Sequence, residues 1–209
     1  MKELDLLKRD WQKNDAFKQI SEGEIYKMLH IKSSSIVKWI FIISILEILL
    51  WTLISIFFNT DEYLKNTSYE KLEVYFEALT VFNYGVILVF IYLFYKNYVA
   101  ISTTVSIKQL MKDILKTRKT VQYYVWYNLG MMVLSLIIGF FMAFAYNPEV
   151  AILIEKVNND AKIIAITVGV FILTLAVFLS LFWLFYRLIY GILLKRLYAN
   201  YKELKKIDL

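Results

Sequence analysis

Four stretches of this chain stay apolar for about the thickness of a lipid hydrocarbon core. A helix needs about 20 mostly apolar residues to cross roughly 30 Å of hydrocarbon. The stretches at 36–58, 74–95, 123–146 and 163–186 meet that requirement. Inside lipid every backbone polar group must be bonded within the protein, which leaves only helices and closed barrels. Period-two alternation is absent from all four, so a barrel is not expected. The predicted fold class is therefore all-α: a polytopic membrane protein with four transmembrane helices and helical cytoplasmic extensions. Hydrophobic residues make up 59% of the chain and charged residues 20%. The charge must then be confined to the connections and the ends.

The lysines and arginines set the expected orientation, because basic residues are retained on the cytoplasmic side. Twenty of the 24 lie in residues 1–38, 96–122 and 187–209. The connections 59–73 and 147–162 hold two each and are net acidic. Both termini are predicted to be cytoplasmic, in a bacterial inner membrane. No cleavable signal peptide is expected, since residues 1–35 are too long and too charged for one. Trp39, Tyr92, Tyr95, Tyr123, Tyr124, Trp126, Tyr127, Trp183, Tyr186 and Tyr190 all fall at the basic end of a span. They read as an interfacial aromatic belt.

The basic segments carry helical patterns. In residues 1–35, Leu4, Leu7 and Trp11 recur at helix spacing, and Ser21-Glu22-Gly23-Glu24 has the form of a capping box. Ile25, Met28 and Leu29 then share a face. Residues 96–122 place Leu110, Met111 and Ile114 on one side and Lys108, Lys112, Lys116, Arg118 and Lys119 on the other. The tail 187–209 continues the fourth helix through Leu193 and Leu197, with Lys195 and Arg196 between them. These stripes either pack on one another, lie on the membrane with Lys108, Lys112, Lys116, Arg118, Lys119, Lys195 and Arg196 against anionic lipid, or form a docking face for a partner protein. The docking reading selects Leu7, Trp11, Met28, Leu29, Leu110 and Ile114.

Glu47 is the ionisable residue deepest in a span, 11 residues from either end of the first. A charge at that depth costs roughly 2.5–3.5 kcal/mol on insertion scales, so it should face the bundle or a wet cavity. Matching the midpoints of the spans predicts a polar layer of Glu47, Asn83, Tyr84, Ser135 and Thr174. That layer reads either as a proton or cation site or as a structural hydrogen-bonded lock. Gly130, Gly139 and Gly169 are expected at close helix contacts.

Enzyme chemistry finds little to work with. The chain has no cysteine and one histidine, His30, expected on the surface. No metal centre or cofactor is therefore expected. No nucleophile elbow or phosphate-binding glycine loop is present. The net charge of +6 comes from residues held near the headgroups and does not point to nucleic acid.

The runs Ile25-Tyr26-Lys27-Met28 and Lys32-Ser33-Ser34-Ser35-Ile36-Val37-Lys38-Trp39-Ile40 carry a resemblance, as does 110–121 with Tyr124 and Asn128. They resemble an uncharacterised family of four-span inner-membrane proteins of Bacteroidota, especially flavobacteria. The resemblance covers most of the chain. Members are sometimes labelled beta-carotene monooxygenases, which resemble a propeller with iron held by four histidines. One histidine cannot supply that site.

The expected function is thus a non-enzymatic membrane protein that binds or tethers a partner through its cytoplasmic helices, as a regulatory or assembly subunit. A homodimer is compatible with so small a core. The alternative is a small permeation or proton-coupled transport protein using Glu47.

Overall fold

The Ser21 hydroxyl accepts from the Glu24 amide at 3.3 Å, and the Glu24 carboxylate accepts from the Ser21 amide at 3.1 Å. This reciprocal pair satisfies two free donors and starts the first helix where the capping box predicts. The computed structural model describes residues 21–57, 70–146 and 161–207. Among these, all but Ser21 and residues 104–106 are helical. The helices are α1 (Glu22–Phe57), α2 (Glu70–Thr103), α3 (Ile107–Tyr146), α4 (Ala161–Tyr186) and α5 (Ile192–Ile207). A π-helical turn, Arg187–Gly191, joins the last two. Four helical stretches, the last running from α4 into α5, are long and apolar enough to cross a membrane. Leu7, Trp11 and most of the two acidic connections lie outside the described residues.

The helices are longer than a bilayer requires. At 1.5 Å per residue, the 36 residues of α1 span about 54 Å and the 40 of α3 about 60 Å. Roughly 30 Å of that crosses hydrocarbon. The surplus builds a second packed region at the end that carries the described chain termini and the 104–106 turn. We call this the terminal end and the opposite one the loop end.

Packing differs between the two ends. At the terminal end α1 lies against α2 and α5, and α3 against α2 and α5. Leu29, Val37, Ile101, Leu110, Ile114, Leu197 and Leu204 form one core cluster there. Ile40, Phe94, Val121, Tyr124, Tyr186 and Tyr190 belong to a second, deeper one. Beyond it burial falls: no residue in the most apolar stretch of α4 is fully buried within the chain, although Phe171 of α4 still meets Phe140 of α3 with ring centroids 4.0 Å apart. Expected close contacts at Gly130, Gly139 and Gly169 are not found. A Cβ at each would meet nothing within 4 Å, because all three are exposed on the outside of their helices.

Polar pairs tie the terminal end together. Asn200 donates to Ser33 Oγ at 3.0 Å, joining α5 to α1, and Asn97 donates to Thr120 at 3.2 Å, joining α2 to α3. His30 is not the surface residue expected. Its Nε2 lies 2.7 Å from the Ile101 carbonyl, one of the last four of α2, which have no partner within their helix. Tyr26, one turn earlier, donates to the Thr104 carbonyl at 3.0 Å. α1 thereby caps the end of α2 from the side.

Candidate functional site

Glu47 is 5% exposed and accepts three tyrosine hydroxyls. Tyr186, the last residue of α4, donates to Oε1 at 2.6 Å. Tyr124 of α3 and Tyr190 of the π-helical turn both donate to Oε2 at 2.9 Å. A carboxylate offers about four lone-pair sites, so three O–H donors leave one open. The rings support each other. Tyr124 meets Tyr190 edge-on, with centroids 5.8 Å apart, and Tyr186 stacks on Tyr190 at 6.0 Å. Tyr186 and Tyr190 lie four positions apart, which brings their rings to the same side of the helix. A π turn between them is a feature found frequently at functional sites.

This arrangement corrects the expected polar layer. Glu47 sits level with the terminal ends of the third and fourth apolar stretches, near Tyr124 and Tyr186, and not with their midpoints at Ser135 and Thr174. The offset is 11 residues on α3, about 16 Å of helix rise. Hydrogen bonding, and not equal depth of hydropathy maxima, sets the register. Thr174 is exposed and donates within its own helix, to Val170 at 2.8 Å. Asn83 accepts from Tyr127 at 3.0 Å instead of reaching Glu47.

Four of the five predicted residues nevertheless border one space. Glu47, Asn83, Tyr84 and Ser135 line a cavity of about 330 Å³, with Tyr124 and Tyr186 beside Glu47. The lining runs from Glu47 to Trp51 on α1, Ile87 to Leu79 on α2, Tyr124 to Ser135 on α3 and Tyr186 to Phe182 on α4. Every one of these runs heads toward the loop end. Glu47 and its tyrosines therefore form the cavity floor, and the packed cluster of Ile40, Phe94 and Tyr190 lies below it. Trp51 and Phe182 stack across the wall with centroids 5.6 Å apart.

The aromatic belt divides in two. Tyr123, Trp126, Tyr92 and Trp39 are exposed, as an interfacial belt requires. Tyr124, Tyr186 and Tyr190 are buried on Glu47, which overturns their assignment to the belt. One signal pointed to them: a carboxyl group inside a span must find donors, and tyrosine is the donor these spans hold in number.

The expected docking face is also corrected. Leu29, Leu110 and Ile114 are buried in the terminal core, so they hold this bundle together and are not free to bind a partner. Met28 alone of the described members is exposed. The proposed lipid-facing residues Lys108, Lys112, Lys116, Lys119, Lys195 and Arg196 are exposed, and Arg118 lies over the Tyr198 ring at 4.5 Å. Among the described residues no three His, Asp or Glu side chains lie close enough to hold a metal ion.

A family model for a domain of unknown function, DUF8845, matches residues 23–209. The chain belongs to the DUF8845 family. The match takes in all of the described helices except Glu22, the first residue of α1, and every residue of the Glu47 centre. No curated protein and no solved structure matches the chain.

Proposed function

We propose that this DUF8845 protein is a non-enzymatic membrane protein in which the Glu47 centre sets the packing of the extramembrane helices, and that those helices are what a partner protein meets. One observation supports it above others: Glu47 of α1 joins α3, α4 and the π-helical turn through a single carboxyl group. A change at that carboxyl reaches the helices leading to the terminal bundle. The role is regulatory, or that of an assembly subunit. The basic ends place the termini on the cytoplasmic side of a bacterial inner membrane in this reading, with the exposed lysines against anionic headgroups. A second copy of the chain is one candidate partner.

Hydrogen exchange on the full chain in lipid nanodiscs tests this. Glu47→Gln should speed exchange in 107–116 and 197–207, beyond the turns that carry Tyr124 and Tyr190. Cross-linking in native membranes should then capture a partner with the wild type that is lost with the variant. Unchanged exchange in both segments overturns the reading.

A second reading, permeation or proton-coupled transport through Glu47, draws on the cavity that reaches it. It requires a path past Ile40, Phe94 and Tyr190, which are fully packed. Vesicle flux that is equal for wild type and Glu47→Gln would remove it.

A further inference from the structure

The walls of the cavity carry a chemical preference. Among the described residues that line it there is one acid, Glu47, and no Lys, Arg or His. Glu47 keeps one lone-pair site beyond its three hydroxyl donors. An anion brought to this floor meets a carboxyl group with no basic residue to offset it. A cation meets the carboxyl group and an aromatic lining, since Trp51, Phe182, Tyr84, Tyr124 and Tyr186 border the space. Aromatic faces attract ammonium groups, most strongly where water is excluded.

The rest of the lining fits an apolar body. Met131 and Met132 supply flexible, polarisable surface, and Ile48, Ile87 and Leu79 complete it. Asn83, Asn128, Thr80 and Ser135 add neutral polar contacts along the wall. A volume of about 330 Å³ is at the small end of ordinary ligand sites. Trp51 and Tyr84 line the space and are also exposed on the outside of the bundle, so a molecule partitioned into the bilayer reaches it from the side.

We propose that this cavity binds a small amphipathic organic cation, a protonated amine with an apolar body, whose ammonium donates to the open site on Glu47. The inference rests on the Glu47 reading above and adds the chemical class of the ligand. It makes occupancy of the cavity the input to the helix packing that Glu47 controls.

The probe is 2-phenylethylamine, which is cationic at neutral pH. Two molecules of similar size serve as comparison: the neutral 2-phenylethanol and the anionic 3-phenylpropanoate. Binding is measured by equilibrium dialysis on the full chain in phosphatidylcholine nanodiscs, with empty nanodiscs subtracted. The amine should bind about ten-fold or more tightly than the alcohol, a gap that reports the charged contact. The anion should bind more weakly than either. Glu47→Gln should abolish the preference for the amine. Ser135→Trp, which fills the far wall from an exposed position and leaves the Glu47 hydrogen bonds in place, should abolish binding of amine and alcohol alike. Equal affinity for amine and alcohol overturns the proposal. So does a preference that survives Glu47→Gln, binding that survives Ser135→Trp, or a folded wild type that takes up neither molecule. The exchange experiment above is run without ligand. A lost exchange effect therefore rejects the control of packing by Glu47, whereas lost selectivity rejects only the ligand class.

Discussion

Tyr186 and Glu47 stand 139 positions apart in the sequence, and their side chains meet at 2.6 Å. That bond sets the register of the fourth helix against the first. Tyr124 and Tyr190 join the same carboxyl group, and among the described residues no buried side-chain polar atom is left without a partner.

Glu47→Gln should therefore be costly although it preserves shape. The amide has one oxygen to accept and brings an NH2 group to face hydroxyls that already donate. At least one tyrosine must lose its acceptor, and hydrogen bonds to a charged group are worth about 1.5–3 kcal/mol each. A loss of about 2 kcal/mol or more is expected in reversible unfolding in mixed micelles. A loss under about 0.5 kcal/mol, the range of unremarkable surface changes, would mean that the three hydroxyls contribute little to the fold.

The tyrosines should not act independently. Each Tyr→Phe change keeps the ring packing and removes one donor to the same carboxyl group, so each alone should cost about 1.5–3 kcal/mol. Residues in one hydrogen-bond network couple by about 0.5–3 kcal/mol. Tyr124 and Tyr190 share Glu47 Oε2 and pack edge to face, so they should show the largest departure from additivity. A double-mutant cycle on Tyr124→Phe and Tyr190→Phe measures it. An additive result would mean the two hydroxyls bind separately.

How much of this was legible in the sequence depends on how local the signal is. The apolar stretches are a composition signal, and four spanning helices follow from them. The capping box at Ser21 and Glu24 needs only neighbours four residues apart at most, and it forms as read. Glu47 was legible because a carboxyl group in lipid is costly wherever it sits. Its partners were not. Tyr124 lies between Tyr123, which is exposed, and Trp126, which is exposed, in a stretch apolar on all sides. Without an amphipathic contrast, nothing local says which ring turns inward. Matching midpoints failed for the same reason, because register is decided by tertiary hydrogen bonds that hydropathy does not encode. Leu29, Leu110 and Ile114 illustrate the converse. A helical stripe was readable, but a stripe looks alike whether it meets its own bundle or another protein.

The terminal core should respond to truncation as an interior does. Leu110 is fully buried between α1, α2 and α5, and Leu110→Ala should cost about 2–5 kcal/mol through lost contacts and the void left behind. Met28, one of the exposed apolar residues of the same end, should tolerate alanine within about 0.5 kcal/mol. Unfolding of both variants in the same micelles gives the comparison. Similar effects at the two sites would place Leu110 on a surface rather than in a core.

The side-on cap of α2 gives the most local prediction. His30 Nε2 lies 2.7 Å from the Ile101 carbonyl, and Tyr26 donates to the Thr104 carbonyl at 3.0 Å. These contacts satisfy carbonyls that a helix end leaves free. They also hold the 104–106 turn, where Val105 is 87% exposed and contributes almost no packing of its own. Tyr26 and His30 are one turn apart on α1, with ring centroids at 5.9 Å, so either change loosens the other. His30→Ala should lower global stability by only about 1 kcal/mol, the usual net worth of one neutral hydrogen bond. Local opening should change more. Amide exchange in residues 104–110 should accelerate several-fold more than in the Glu47 region, because a loosened turn opens without unfolding the cluster beneath it. His30→Gln, whose amide can still donate to the carbonyl, should restore part of the protection. Uniform acceleration across both regions would show that His30 supports the bundle as a whole and not the end of α2.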